Sequence, residues 1–407
     1  MNLQDYNTIR NHFVNKRTAE LPYYTSLRNH FLHKKLWSTT KPSNSSKPLP
    51  FVAIAPTASS SRSEVHNVTS AVSQSTFSPQ LSLLQQISLP EPITLIKFPH
   101  NSNTEFICAS STGSLYHVHL YSSTFSFSQL PSFHRASVSS INFSKTNSLL
   151  VTTSHDKTVA VWDFQSKTPI KIYYSKVPIT SLSIFDSNDN YCSYSTPKSI
   201  TILNLSNGNS NSINFNYAIT TRLSVINDSV IFGTEQGNLV FIPVNSKWNF
   251  GRNISTLPLT PNFSISNVSI SNISAQNLVI TTCSINGNVM QLICKSNLTD
   301  LRQLIGLNSL SLCELFPSKS VLSPLISSTT HHTVTSQNQV NHLAFGVDDV
   351  IFFRLFNNTL IEQCRLSTHQ SEPINDNMIA ITWSSDVVYF LISYDSGMIC
   401  VHSWNFD

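Results

Sequence analysis

Glycine is scarce, at 9 of 407 residues, and none of the nine falls in a GxxxxGK[ST] or GxGxxG pattern, so the chain offers no backbone cradle for a nucleotide phosphate. Cysteine is confined to seven scattered positions, Cys108, Cys192, Cys283, Cys294, Cys313, Cys364 and Cys400, with no CxxC pair. An odd number without that spacing argues against a disulfide framework and a zinc ribbon, and leaves reduced, mostly buried thiols. Charged residues make up only 11% and hydrophobic residues 40%, which excludes a highly charged disordered chain and supplies a large core. No run approaches the roughly 18 apolar residues of a membrane helix, and Met1 to Asp5 lacks the basic-then-apolar start of a secretory signal. A soluble, intracellular protein without membrane partners is expected. In that setting the Asn-x-Ser/Thr sequons, such as Asn67 and Asn204, are chance products of an Asn- and Ser-rich composition.

The formal net charge of +4 is too weak to argue for nucleic acid by bulk electrostatics, but its distribution is uneven. The first fifty residues hold eight Lys/Arg and two acids, a balance of +6, which leaves 17 basic and 19 acidic residues for the remainder. Within this arm the pattern from Tyr6 to Lys16 is echoed eighteen positions later from Tyr24 to Lys34. Two short amphipathic helices separated by Pro22 would explain the echo, so residues 1–37 are expected to form a basic α-helical arm. Residues 38–79 turn Ser/Pro-rich without a sustained period, the composition of a disordered linker.

From residue 80 the chain consists of short Val/Ile/Phe/Thr/Tyr-rich stretches broken by Ser, Asn, Asp and Gly, an all-β texture. The stretches recur as a unit of strand, apolar strand, two-residue turn and strand, with turns at Thr112-Gly113, Asp156-Lys157, Pro197-Lys198, Gln236-Gly237, Asn286-Gly287, Asp348-Asp349 and Ser396-Gly397. Units of this kind bury their faces only against one another, so the expected fold is a seven-bladed β-propeller spanning 80–407. The last unit runs out of chain after its third strand, while Leu81 to Ile87 has no earlier strand to pair with. Residues 81–90 are therefore expected to close the last blade.

The second unit carries His134, Ser154, Asp156 and Trp162 around its strands and turn. It resembles a WD repeat, and the resemblance implies that these four form one hydrogen-bonded tetrad, a structural device in which imidazole, hydroxyl, carboxylate and indole satisfy one another. Ser154 and Asp156 stand two apart at a strand end and no Gly-x-Ser-x-Gly elbow exists, so a catalytic triad is not supported. The tetrad pattern decays elsewhere: Pro197 stands where the third unit would have its Asp, and the last unit keeps Ser393 and Asp395 with Trp404 arriving late. Over nearly its full length, from the Tyr6/Arg10 arm through the linker to Ser396-Gly397-Met398, the chain resembles the WD repeat-containing protein 13 family. That resemblance implies a nuclear or nucleocytoplasmic scaffold without known catalysis.

His117 and His119 share a strand face, but two ligands without a nearby carboxylate or Cys do not make a metal site, and His331-His332 reads as a surface loop. No cofactor, no metal and no small-molecule ligand is expected. Partners are expected to be proteins, met on the face that carries the loops into each inner strand, where Arg135, Lys176 and Arg222 are candidate contacts. The arm, with Arg28, Lys34 and Lys35, is expected to dock on the propeller or to meet an acidic partner, with nucleic-acid phosphates as the alternative.

Overall fold

Stretches of three to nine residues, many rich in β-branched side chains, are too short and too frequently broken to hold a helix, and among the described residues every regular element is a strand. The computed structural model describes residues 80–405 apart from 101, 122–123, 186, 273–275, 299, 302–303, 312–324, 333–338, 347–349, 357–358, 367–376 and 385–386. The expected helical arm and linker, with Arg28, Lys34 and Lys35, lie outside the described residues, as does the Asp348-Asp349 turn.

The strands run in chain order from β1 (Gln80–Ser88). A first group comprises β2 (Ile93–Lys97), β3 (Glu105–Ser110), β4 (Leu115–Leu120) and β5 (Phe125–Gln129). A second comprises β6 (Val138–Phe143), β7 (Leu149–Ser154), β8 (Thr158–Asp163) and β9 (Thr168–Tyr174). Next come β10 (Ser181–Ile184), β11 (Tyr191–Thr196), β12 (Ser199–Asn204) and β13 (Ser210–Asn214), followed by β14 (Ser224–Ile226), β15 (Ser229–Gly233), β16 (Asn238–Pro243) and β17 (Ser255–Pro258). The fifth group is β18 (Ile265–Asn272), β19 (Asn277–Ser284), β20 (Asn288–Lys295) and β21 (Leu304–Ser311), and the sixth is β22 (Leu325–His332), β23 (Gln339–Gly346), β24 (Val350–Phe356) and β25 (Thr359–Leu366). The chain ends with β26 (Met378–Trp383), β27 (Tyr389–Tyr394) and β28 (Met398–Asn405).

Each group is one antiparallel four-stranded sheet, and the seventh is completed by the first strand of the chain in the order β1-β28-β27-β26. Leu81 pairs with Trp404 and Ile87 with Ile399, with a bulge between Leu83 and Gln85. The innermost strands touch in a closed cycle, β2 to β6, β10, β14, β18, β22, β26 and back to β2. The architecture is an all-β propeller. His331 and His332, read as a loop in the sequence, continue β22 instead and pair with Val340 and Gln339, because the ladder with β23 extends across the Ser/Thr-rich stretch.

Alternation along the second strand of each sheet explains the packing. On β3, Phe106 and Cys108 face the seventh sheet, where they meet Ile87, Leu391 and Ile399, whereas Ile107 and Ala109 face the second sheet and meet Val138, Leu150 and Trp162. On β7, Leu150 points to the first sheet and Val151 to the third. Each such strand is covered on both sides, so period-2 alternation distributes apolar residues between two cores instead of between core and water. Full burial of a side chain such as Phe106 or Ile107 contributes about 1.5–3 kcal/mol. The fourth strands lie at the rim: β9 is exposed along most of its length.

Scarce glycine is placed where geometry demands it. Gly113 adopts φ 108° in its turn, and a Cβ there would stand 2.6 Å from the carbonyl oxygen of His134, in the segment entering the next sheet. Gly397, at φ 89°, would likewise meet the oxygen of Leu89 at 2.5 Å, and that segment is tied to it by Leu89 N–H donating to Gly397 O at 3.0 Å. In the second sheet Lys157 occupies the equivalent turn position at φ 75°.

Deleting residues 81–90 is expected to lower the melting temperature by roughly 10 °C or more, since the seventh sheet loses its fourth strand and Ile87, whereas Leu84→Ala at an exposed site of the same strand shifts it by about 2 °C or less. Equal, small effects would remove the closing role of β1. A second expectation concerns His402, buried on β28 opposite Leu83 and Phe390, where burial pushes its pKa down to about 4. The folded protein favours the neutral ring, so this contribution is complete above the unfolded value of about 6.5 and is lost as pH falls from there toward about 4. His402→Leu is expected to flatten the melting-temperature profile in that window; an unchanged slope would assign it elsewhere.

Candidate functional site

At one end of the ring, among the described residues, segments that enter inner strands pass beside turns joining a second strand to a third, as where the N–H of Ser111, His155, Glu235 and Asp395 donates to the carbonyl of Pro92, Ser137, Ala218 and Asn377. In the second sheet the turn carboxylate of Asp156 is held by its surroundings. Its Oδ2 accepts the backbone N–H of Arg135 at 2.9 Å and lies 3.3 Å from Nδ1 of His134, while Oδ1 accepts the backbone N–H of Thr158 at 2.9 Å. Nε2 of His134 lies 2.7 Å from the Thr152 hydroxyl, which accepts the indole N–H of Trp162 at 2.9 Å. The donor inventory assigns the roles: Thr152 accepts from Trp162 and donates to Nε2, so the imidazole proton is on Nδ1, facing Asp156 and the Thr158 hydroxyl at 3.0 Å.

This arrangement corrects one member of the expected tetrad. His134, Asp156 and Trp162 belong to one chain of hydrogen bonds, but its hydroxyl is that of Thr152 and not Ser154. The register explains why: Trp162 pairs with Leu150, so the buried residue diagonal to it on the same face is Thr152, while Ser154 lies at the end of the ladder. Ser154 instead donates to the carbonyl of Ala136 at 2.9 Å and accepts the N–H of Asp156 at 3.0 Å, which braces the turn. Counting back from Trp162 across the Asp156-Lys157 turn would have identified Thr152 in the sequence.

Burial raises the Asp156 pKa, but the hydrogen bonds from His134, Thr158 and the Arg135 backbone outweigh it and hold the carboxyl well below the ordinary range. Related turns use other residues for the same linkage. Glu235 accepts the N–H of Ala218 at 3.0 Å in the fourth sheet, and Asp395 accepts the N–H and side-chain amide of Asn377 at 3.2 and 2.9 Å in the seventh. In the first sheet the direction is reversed: Glu91 of the entering segment accepts from Thr112 and Ser114 of the turn. Sequence reading missed Glu235 and Glu91 because neither belongs to the WD pattern.

With Asp156 satisfied internally, several cationic side chains reach water near it. Arg135 and Lys176 are exposed, and so is Lys157 in the turn, whose carbonyl accepts the N–H of Ser175 at 2.7 Å. Exposed Lys198 occupies the corresponding turn of the third sheet. Arg222 lies in the segment just before β14 and is exposed as well. Away from this face, the expectation that His117 and His119 lack a carboxylate is also corrected. Glu105 on the adjacent β3 reaches Nε2 of His117 at 3.3 Å with one oxygen and Nε2 of His119 at 3.5 Å with the other. Among the described residues no group of three or more His, Cys, Asp or Glu could hold a metal ion.

Comparison with solved structures finds the same fold at low sequence identity. The chain is similar to the β-propeller domain of Cps50 (Swd1) from Myceliophteria thermophila, with a TM-score of 0.62 and 13% identity, over 80% of this chain and 99% of that one. U3-55K gives a TM-score of 0.59 at 11% identity over 79% and 98% of the two chains. The WD40 repeats of RRP9 give 0.59 at 12% identity over 80% and 97%. The likeness is one of fold, a propeller of the WD40 kind. No family model and no curated protein matches the sequence.

Two measurements test the network. Thr152→Val removes the hydroxyl between two buried rings at nearly constant volume and is expected to cost about 1–3 kcal/mol in chemical denaturation; no loss would dissolve the chain. The Asp156 carboxylate contributes stability that is complete above its unfolded pKa of about 3.9 and is lost as pH falls below that value toward the lower folded one. Asp156→Asn is therefore expected to flatten the fall of melting temperature below pH ~4; a wild-type slope would contradict the assignment.

Proposed function

We propose that this chain is a non-catalytic protein-interaction scaffold, a seven-bladed WD-repeat propeller related to the WD repeat-containing protein 13 family. In this reading it presents its turn-bearing face to partner proteins in a nuclear or nucleocytoplasmic complex. The observation that carries the reading is the row of exposed cations at the second and third sheets, Arg135, Lys157, Lys176 and Lys198, set around a turn whose own carboxylate is already satisfied. Local charge of one sign on a rigid rim favours an acidic segment of a partner and speeds its approach. The rigidity comes from the Trp162–Thr152–His134–Asp156 chain, which fixes the turn and the entering segment against each other.

A second reading rests on the basic arm. Its balance of +6, including Arg28, Lys34 and Lys35, suits nucleic-acid phosphates as well as an acidic protein surface. The two readings separate in one affinity capture with mass spectrometry. The triple variant Arg135→Glu, Lys157→Glu and Lys176→Glu is expected to lose the main protein partners at an almost unchanged melting temperature, whereas Arg28→Glu, Lys34→Glu and Lys35→Glu leaves them bound. Partners retained by the first variant and lost by the second, with a steep salt dependence and nuclease sensitivity, would replace the scaffold reading with the nucleic-acid one.

A further inference from the structure

Among the described residues, β9 carries the longest exposed apolar row of any rim strand. It reads TPIKIYY and exposes Ile170, Ile172 and Tyr174 at 51, 37 and 78%, with exposed Val177 just beyond, whereas β13 reads SNSIN and exposes no large apolar side chain. β9 is the outer strand in the order β6-β7-β8-β9, and among the described residues no strand pairs with its far side. The register shows which backbone groups are left there. Because Ser175 N–H donates to Lys157 O, the bonded pairs of this ladder fall at Tyr173 with Val159 and Lys171 with Val161, and the N–H and C=O of Ile172 and Tyr174 point away from β8.

Side chains follow the same alternation. The Tyr173 hydroxyl donates to the carbonyl of Leu205 at 2.6 Å and Lys171 Nζ to the same oxygen at 3.3 Å, both toward the third sheet. Ile172 and Tyr174 stand opposite Ala160 and Thr158, on the face turned to the first sheet. The outward hydrogen-bonding groups and the apolar row therefore belong to the same residues. Soluble proteins guard such an edge with Pro, Lys or a bulge. Here Pro169 and the bulge at Ile170 protect only the first end, and Lys171 is drawn back to the carbonyls of Leu205 and Ser206. From Ile172 onward the edge stays open.

Charge selects what can fill it. Residues 164–185 contain Lys167, Lys171 and Lys176 and no Asp or Glu, and exposed Lys157 stands beside the end of β9. Among the described residues none of these lysines lies within ion-pair distance of a carboxylate. A second copy pairing antiparallel through its own β9 would bring Lys176 of one chain near Lys167 of the other, and like charges in facing positions repel. An acidic chain turns that repulsion into attraction.

We propose that the open edge of β9 takes an extended segment of a partner protein, added as a fifth strand, with alternating apolar residues at its centre and Asp or Glu at both ends. Ile172 and Tyr174 supply the backbone ladder, Ile170, Ile172 and Tyr174 receive the apolar side chains, and Lys167 at one end and Lys157 with Lys176 at the other meet the acids. The inference rests on the scaffold reading for its class of partner but uses a sheet edge instead of the turn-bearing face. Its test needs no captured partner, so each can fail alone.

The probe is a fluorescein-labelled peptide, Glu-Asp-Val-Thr-Val-Thr-Val-Asp-Glu, titrated with the full chain and followed by anisotropy and by amide hydrogen exchange. Saturable binding is expected, weakened about tenfold or more when both Thr become Pro or when the four acids become Lys. Binding is expected to slow exchange at the Ile172 and Tyr174 amides and to leave the already bonded Tyr173 amide unchanged. Ile172→Pro removes only an outward N–H, so it is expected to abolish binding while shifting the melting temperature by about 3 °C or less. Should that variant fold poorly, the paired change Ile172→Asp and Tyr174→Asp, at two exposed side chains, is expected to abolish binding by repulsion. Absence of binding, equal binding of the Pro-containing peptide, or exchange slowed elsewhere than in β9 would overturn the site. A concentration-dependent dimer lost in Ile172→Pro would overturn the acidic occupant in favour of a second copy.

Discussion

The fold depends on covering both faces of the middle strands of every sheet. A strand such as β3, with Phe106 and Cys108 on one side and Ile107 and Ala109 on the other, has no solvent face, and one sheet alone would leave half of these groups in water. Two neighbours are required for each sheet, so a linear stack would leave two apolar faces uncovered at its ends. Ring closure removes both ends, and pairing of β1 with β28 completes the sheet at the closure point. Hydrophobic burial and strand pairing thus act on the same joint. Ile87 is wholly buried between the seventh sheet and the first while its backbone extends the β28 ladder.

Polar groups secure the same neighbours at the turn-bearing end. The chemistry varies from sheet to sheet while the linkage stays constant: an acceptor on one segment and a donor on the other, as in Asp156 with Arg135 N–H, Glu235 with Ala218 N–H, Asp395 with Asn377, and Glu91 in the reverse direction. What must be conserved physically is the satisfaction of backbone donors where two segments meet, and several residue types meet that need. Among the described residues, only the second sheet adds the buried chain through His134 and Thr152 to Trp162, and cationic residues are exposed beside it. Arg135, Lys157 and Lys176 face open solvent.

Strand alternation, turn residues at regular intervals and a missing fourth strand in the last unit were legible in the chain before any coordinates, because each is a local consequence of period-2 geometry and turn chemistry. His134, Asp156 and Trp162 were legible for the same reason, as neighbours of one turn. Ser154 misled because it is also a hydroxyl beside that turn, and telling it from Thr152 requires the pairing register, which places Trp162 across from Leu150. His117 and His119 show the limit from the other side: their carboxylate, Glu105, is 12 positions from His117 and joins them only through strand pairing.

The joint between the seventh sheet and the first marks the boundary most clearly. The amino-acid sequence determined that the chain is all-β from residue 80, that its units repeat, and that its excess positive charge lies in the first fifty residues, since composition and periodicity act over a few residues at a time. Only the tertiary structure decided which distant groups meet. The Ser393 hydroxyl donates to the carbonyl of Ile93 at 2.9 Å, 300 positions away along the chain, because ring closure sets the seventh sheet against the first. A hydrogen bond depends on distance in space, and separation of that kind is not encoded by local pattern.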